Sequence, residues 1–443
     1  MNLFRFRLLW LASGFALAAL LWVVLARDRG GLNMGNPSPF SPSGIAAAKS
    51  ARGASRAPKD AAGSRPSSVV PLAPDGEDRQ LQQLRRRVQR DNAIPHEAVI
   101  RFQSATAMRD FLRRTASRKI VVLGRLDALS AMRVGFKDLE SLRDAVGTGV
   151  TVYDNLDANY VVKTPDFLQE EDRPAGVGSA SFGGLGFLDA IGAGGDRSTW
   201  GMGVTVAVVD SGVENHPTFA ESQVTHYDLV GGGQPFDGHG TAIASLIAGQ
   251  DPQAPGVSPA SHILDVRVAD SNGVSDSFTL AAGIVQAANA GAQVINISLG
   301  SYGDSQSVRD AVSYAESRGA TVVAAAGNDE TVNQLAFPAA IPSVISVGGV
   351  DAKLQQAYYS NSGSGLDISA PGVGIQSAYG GNQLVLGDGT SQAAAITSGV
   401  LAYGISSGAT TPANGLTWLK EDALPLSQPP DRVGAGLVQT KSK

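Results

Sequence analysis

Beyond residue 200 the hydrophobic positions come as short unbroken runs set between helical patterns. VTVAVVD (204–210), ILDVRVA (263–269), QVINISLG (293–300), TVVAAAG (321–327) and SVISVGGV (343–350) are apolar stretches without alternation. Between them GTAIASLIAG (240–249), Thr279 to Ala290 and Ser307 to Arg318 carry apolar residues at helical spacing. Strands that are apolar on both sides and separated by helices predict an α/β unit, a mostly parallel sheet covered by helices on both faces. No internal repeat is evident.

The rhythm before it is different. EAVIRF (97–102), IVVLGRL, AMRVGF and NYVVKT read as strands. Thr106 to Arg114 reads as a helix with Met108, Phe111 and Leu112 on one face, and Asp138 to Val146 as a second. The order βαββαβ is the split βαβ arrangement, so 93–168 is expected to be a small α+β ferredoxin-like domain. Residues 169–199 begin loosely, with Gly, Ser, acidic residues and Pro174, and lead into the larger unit at 200–443.

At the N-terminus, Leu8 to Ala26 is a 19-residue stretch without charge, flanked by Arg5, Arg7, Arg27 and Arg29. About 20 apolar residues span a bilayer as a helix. Residues 1–27 therefore read as a signal anchor retained in the membrane through 8–26, or as a signal peptide removed after export. Both place the rest of the chain outside the cytoplasm. Residues 28–92 are a tether: NPSPFSPSG and SRPSS hold too few apolar groups to offset the entropy of ordering. Within it, 77–92 carries five Arg and reads as a short, solvated basic helix.

Composition narrows the function classes. The 443 residues are 43% hydrophobic and 17% charged, enough for two or three cores. Zero Cys excludes a disulfide scaffold, a thiol nucleophile, Cys-ligated zinc and an iron–sulfur cluster. The net charge of −5 argues against nucleic acid as a partner. It hides an asymmetry, since residues 171–443 carry −14 and everything before them is neutral to basic.

Catalytic groups in open parallel sheets gather at the carboxyl ends of strands. The first long strand ends in Asp210, within DSGV; His239 follows in DGHGTA at a helix start. TVVAAA runs into Gly327 and Asn328, and Ser391 sits in GDGTSQAAA, again at a helix start. A serine hydroxyl needs an adjacent base to become a nucleophile. The set therefore suits acyl transfer, with Ser391 as nucleophile, His239 as general base and then acid, and Asp210 orienting the imidazole. The side-chain amide of Asn328 and the backbone N–H of Ser391 are candidate donors to an oxyanion. Asp, His and Ser in this chain order match the subtilisin arrangement of the triad, and Ala393 fails the G-x-S-x-G elbow of α/β-hydrolases.

The stretches VAVVDSGVENHP, DGHGTAIASLIAG, INISLG, AAAGND, FPAA, SVISVGG, YSNSG, ISAPG and GTSQAAA resemble the subtilisin-like serine peptidases, over roughly 200–438. The resemblance implies an endopeptidase acting on proteins or peptides, with Asp210, His239 and Ser391 as its triad and Asn328 as its oxyanion donor. It implies that Ser298, Leu299 and Gly300 pair with the substrate backbone as an added strand. It also implies that the domain at 93–168 is an inhibitory propeptide, a partner in cis that the enzyme cuts off, with 169–199 as the processing segment and self-cleavage expected between about 163 and 185. The chemistry requires no cofactor; family members often hold structural calcium, but no local Asp-rich motif assigns a metal here. Three positions depart from the family habit: Gln392 for Met, Ala395 for Pro and Ala242 for His. None removes a proton-transfer group. His216 reads as structural. Small neutral residues around Ser298–Gly300 and 325–328 suggest an apolar or unselective preference at the cut. The alternative is a weak or inactive relative serving as a binding or scaffolding module of the cell envelope.

Overall fold

A computed structural model describes residues 79–89, 92–115, 120–146, 153–165, 168–169, 179–231, 233 and 235–440. The apolar stretch 8–26 and the tether up to residue 78 lie outside them. Among the described residues no helix is long and apolar enough to cross a membrane.

The leader begins with helix α1 (Arg79–Arg87), followed by β1 (Ala93–Phe102), α2 (Ala105–Thr115), β2 (Ile120–Leu126), β3 (Ala131–Phe136), α3 (Leu139–Val146) and β4 (Tyr153–Lys163). Its strands pair antiparallel in the order β2-β3-β1-β4. Alternation along β1 sorts the two faces of the sheet. Ala98, Ile100 and Phe102 point to the leader's own helices and pack with Met108, Phe111, Met132 and Leu142. Val99 points the other way, against Ala131 and Phe278 of the larger body.

Helix α1 corrects the expectation of a solvated basic segment in the tether. Leu81 and Leu84 are buried in the leader core, and Arg87 Nη1 donates to Asp157 Oδ1 at 2.6 Å. A composition dominated by Arg hid two leucines three apart, which lie on one side of a helix.

After β5 (Leu168–Gln169) and the short α4 (Gly186–Ala190), the larger body follows. Its strands are β6 (Thr205–Asp210), β7 (Val224–Asp228), β8 (His262–Arg267), β10 (Val294–Ile297), β11 (Thr321–Ala325), β12 (Ile345–Val350) and β13 (Ile368–Pro371). They form one parallel sheet in the order β13-β12-β11-β10-β6-β8-β7. Successive residues of β6 feed different cores. Val206 and Val208 join helices α5 (His239–Ala248) and α8 (Thr390–Ser406) on one face. Ala207 and Val209 join α6 (Ser277–Asn289) and α7 (Gln306–Ser317) on the other. Both faces are covered, which is why the strands lack alternation. Helix α8 is apolar around most of its circumference, and Ala393, Ala394 and Ala395 are fully buried. Such a helix belongs inside the molecule. A hairpin of β14 (Ile375–Tyr379) and β15 (Gln383–Asp388) precedes it.

The two bodies share a sheet. Short strand β9 (Val274–Asp276) pairs antiparallel with β4 and becomes the fifth strand of the leader's sheet. The leader also adds acceptors at two helix starts, beside the Asp276 cap of α6 and at the uncapped start of α7. Asp157 Oδ2 accepts from Gln306 N at the start of α7 at 2.9 Å. Asn159 Oδ1 accepts from Ser277 Oγ at 2.9 Å and Phe278 N at 3.1 Å at the start of α6. Arg133 bridges Glu97 within the leader and Asp276 across the seam, at 2.7–2.9 Å.

Because Leu84 is fully buried, Leu84→Ala is expected to cost the leader about 3 kcal/mol of stability. Urea unfolding of the Ser391→Ala chain, with and without this change, measures it. An unchanged midpoint would mean that α1 is not part of that core.

Candidate active site

Strand β6 runs through the middle of the parallel sheet, and Asp210 ends it with no solvent exposure. Helix α5 starts directly above. That approach is possible only between glycines: a Cβ on Gly240 would stand 2.4 Å from Gly212 O, and Gly212 itself has φ 101°. His239, the first residue of α5, is thereby brought to Asp210, and Nδ1 lies 2.8 Å from Asp210 Oδ1. Asp210 Oδ1 also accepts from Ser211 N at 2.7 Å. With the carboxylate as acceptor, the ring proton sits on Nδ1 and leaves Nε2 with a lone pair. Nε2 is buried and has no partner among the described residues.

A second carboxylate supports this pair. Asp237 Oδ1 accepts from His239 N at 2.7 Å and from Ser211 Oγ at 2.6 Å. Burial of the His239 ring favours its neutral form, but the charge of Asp210, its hydrogen bond and the charge of Asp237 outweigh burial, and the imidazole pKa is raised.

Ser391 is the second residue of α8 and is buried. Its Oγ donates to the carbonyl of Ser298 at 3.2 Å rather than to His239. Asn328 follows β11, and its amide has a fixed orientation. Its Oδ1 accepts from Thr390 N at 3.0 Å and Thr390 Oγ1 at 2.7 Å. Nδ2 must then face away, and it is a buried donor without a partner among the described residues. An unpaired buried donor is uncommon and calls for an explanation. Gln392 Oε1 is likewise buried and unpaired among them. His216 Nδ1 accepts from Thr218 N at 3.1 Å in a turn.

Ser298, Leu299 and Gly300 leave β10 as an edge, and the leader lies on it. Lys163 N donates to Gly300 O at 3.0 Å, and Gly300 N donates to Lys163 O at 2.9 Å. On its other side the same strand pairs with β9, and Thr164 N donates to Gly273 O at 2.9 Å. Farther on, β5 pairs with Gly387 and Asp388, just before Ser391. Extending the antiparallel register of the isolated Lys163–Gly300 pair by two places would set Pro165 opposite Ser298. That place calls for an N–H, which proline lacks.

The four residues singled out by sequence thus stand where expected, at strand ends and helix starts. Asp210 and His239 are joined directly; Asn328 bonds Thr390, the neighbour of Ser391, and Ser391 Oγ bonds Ser298 O, with no hydrogen bond joining His239 to Ser391. Asp237, Ser211 and Thr390 were missed as partners, although each is a neighbour of a chosen residue in DGHG, DSGV or GTSQ. The surroundings of 325–328 are not wholly small and neutral. Tyr302 Oη bonds Asp329 and accepts from Asn361 Nδ2 at 2.8 Å; burial, with Asp329 beside it, pushes the phenol pKa up to about 12. Among the described residues no cluster of three or more histidine or carboxylate side chains is gathered for a metal.

Comparison with known proteins agrees with this arrangement. Residues 201–436 match the Subtilase family. The thermophilic serine proteinase of Bacillus sp. (strain AK1) is 38% identical over 220 residues, which are 48% of this chain and 55% of that protein. M-protease of Shouchella clausii (strain KSM-K16) is 33% identical over 260 residues, 56% of this chain and 66% of the relative. Subtilisin Savinase of Lederbergia lenta is 36% identical over 218 residues, 47% of this chain and 78% of the relative. The chain thus spans about half to two thirds of the first two relatives. Among solved structures, fervidolysin from Fervidobacterium pennivorans superposes with a TM-score of 0.65 at 23% identity, covering 79% of this chain and 61% of that one. The epidermin leader peptide processing protease of Staphylococcus aureus gives 0.64 at 21% identity, covering 78% and 96%. These structural matches show the fold, and they extend over more of the chain than residues 179–443 supply. The parallel sheet, the glycine-bound Asp–His contact and the matched span together establish that the chain belongs to the Subtilase family.

Proposed function

We propose that this chain is a serine endopeptidase made as a self-inhibited precursor. Ser391 Oγ attacks the carbonyl carbon of a peptide bond and passes its proton to His239 Nε2. The oxyanion of the tetrahedral intermediate is held by Asn328 Nδ2 and Ser391 N. The imidazolium, stabilised by Asp210, then protonates the leaving amine. Water repeats the sequence on the acyl-enzyme, with His239 again taking the proton. Each step uses side chains and backbone of this chain, with no cofactor. The observation that carries the reading is the buried Asp210–His239 pair at 2.8 Å, with its Nε2 open, together with an equally unpaired Asn328 amide.

The leader is read as the inhibitory propeptide in cis. It supplies a strand to the edge where a substrate would lie, and its segment around 163–168 is the place of self-cleavage. Pro165 contributes to latency: it offers no N–H to the Ser298 carbonyl, which accepts from Ser391 Oγ, and that bond keeps the hydroxyl off His239. The stretch 8–26 supports export, with retention by a helix or removal as a signal as the two forms of it.

Ser391→Ala should remain full length, whereas the parent chain is converted. Loss of a triad member costs about 10⁴–10⁶ in turnover, a range set by subtilisin itself. A serine-reactive fluorophosphonate should label the processed parent at Ser391; an unlabelled but folded product would favour the scaffolding alternative. Pro165→Ala should convert about three- to tenfold faster, the worth of one recovered hydrogen bond. Timed gels with mass spectrometry of the new N-terminus read both. The base must be neutral to accept the serine proton, so activity falls as pH drops through its pKa. Since that pKa is raised, the acid limb of kcat/KM should lie above the ordinary imidazole value of about 6.5. A pH–rate profile with a limb below it would contradict the electrostatics described.

A further inference from the structure

Asp237 presents one oxygen to the protein and the other to the occupant of the cleft. Oδ1 is used by Ser211 Oγ and His239 N. Among the described residues Oδ2 meets a single donor, the hydroxyl of Thr164, at 3.3 Å. Gly273, with φ 68°, forms the opposite wall: a Cβ there would stand 1.9 Å from Thr164 Oγ1 and 3.0 Å from Asp237 Oδ2. The side chain at this place therefore lies in a slot with backbone on one side and a half-exposed carboxylate on the other. Ser391 Oγ lies against Ser298 O, so the residue opposite Ser298 is the one whose carbonyl comes to the nucleophile. Thr164 stands one residue before it.

Carboxylates predominate around the slot; the buried Arg267 nearby is engaged by Pro235 O and Ala269 O and lies over the Phe236 ring. Asp210 and Glu214 flank the same region as Asp237, and with it they push the Tyr379 phenol up, after burial. A carboxylate oxygen accepts and cannot donate, so it rewards an O–H or N–H and repels another anion. We propose that Asp237 is a specificity-determining residue that selects substrates by the side chain in the Thr164 position, favouring hydrogen-bond donors, and above all lysine or arginine, and rejecting acids. The inference rests on the endopeptidase reading and narrows its substrate class. Threonine in the leader meets the same requirement only partly, with a neutral donor.

The test uses the full-length chain, left to process itself, on peptides identical except for Lys, Thr, Leu or Glu in that place. The expected order of kcat/KM is Lys, Thr, Leu, Glu, with Lys over Glu by at least about tenfold and the gap closing as salt rises. In Asp237→Asn the Lys/Glu ratio should fall toward one while Thr stays ahead of Leu, because the amide still bonds a hydroxyl. Asn also keeps the Oδ1 contacts, and comparing two peptides on one enzyme cancels any change at His239. The same pair in cis, Thr164→Lys against Thr164→Glu, should convert in the same order. Cleavage without Lys/Glu discrimination, or a ratio that Asp237→Asn leaves unmoved, overturns the inference and leaves the endopeptidase reading standing. Failure to cut any peptide or the leader overturns both.

Discussion

The backbone contact between Gly212 and Gly240 is the constraint on which the rest is built. It lets the first turn of α5 rest on the end of β6, so that an imidazole and a carboxylate from segments 29 residues apart share a buried hydrogen bond. A methyl group on Gly240 would meet a backbone carbonyl, which has no rotamer to retreat into. Everything polar nearby is arranged around that fixed pair. Asp237 caps the turn, Ser211 ties Asp237 to Asp210, and the net effect is a histidine held oriented and basic in a place where burial alone would favour its neutral form.

A similar logic orients the other half of the site. Thr390 takes both acceptor positions of Asn328 Oδ1, so the amide cannot flip without losing two hydrogen bonds. The cost of leaving Nδ2 unpaired in the interior is borne by those contacts and by the Ala-rich packing of α8. Donors kept ready in this way need no reorganisation when charge develops on a bound carbonyl, which is how such donors lower a barrier. Gln392, with its own unpaired oxygen close to Gly389, adds a polar group to a helix start that is otherwise packed with alanine.

Much of this was legible in the sequence because the strongest signals were local. Unbroken runs such as VTVAVVD can hardly be anything but a strand covered on both faces, and polar residues that follow such runs must lie at their carboxyl ends. The leader's strand–helix order was readable for the same reason: Ile100 and Phe102 alternate, and Met108 and Phe111 share a helical face. What escaped was short or long-range. Strands β7, β9, β14 and β15 exist through their partners, since three to six residues carry too little periodicity to announce themselves. Leu81 and Leu84 were masked by arginines. No local pattern could reveal that Lys163 would pair with Gly300 or that Thr164 would face Asp237, because those pairings join residues more than 70 positions apart.

The sheet that joins the two bodies has a consequence for what happens when they part. β4 covers β9 and Gly300 with its backbone, while Val99 and Ala131 cover Phe278 with their side chains. Separation would bare an open strand margin and an oily patch on each fragment at the same moment. Each margin is shielded from association with other extended segments only while the two bodies stay joined, so the shared sheet protects both at once.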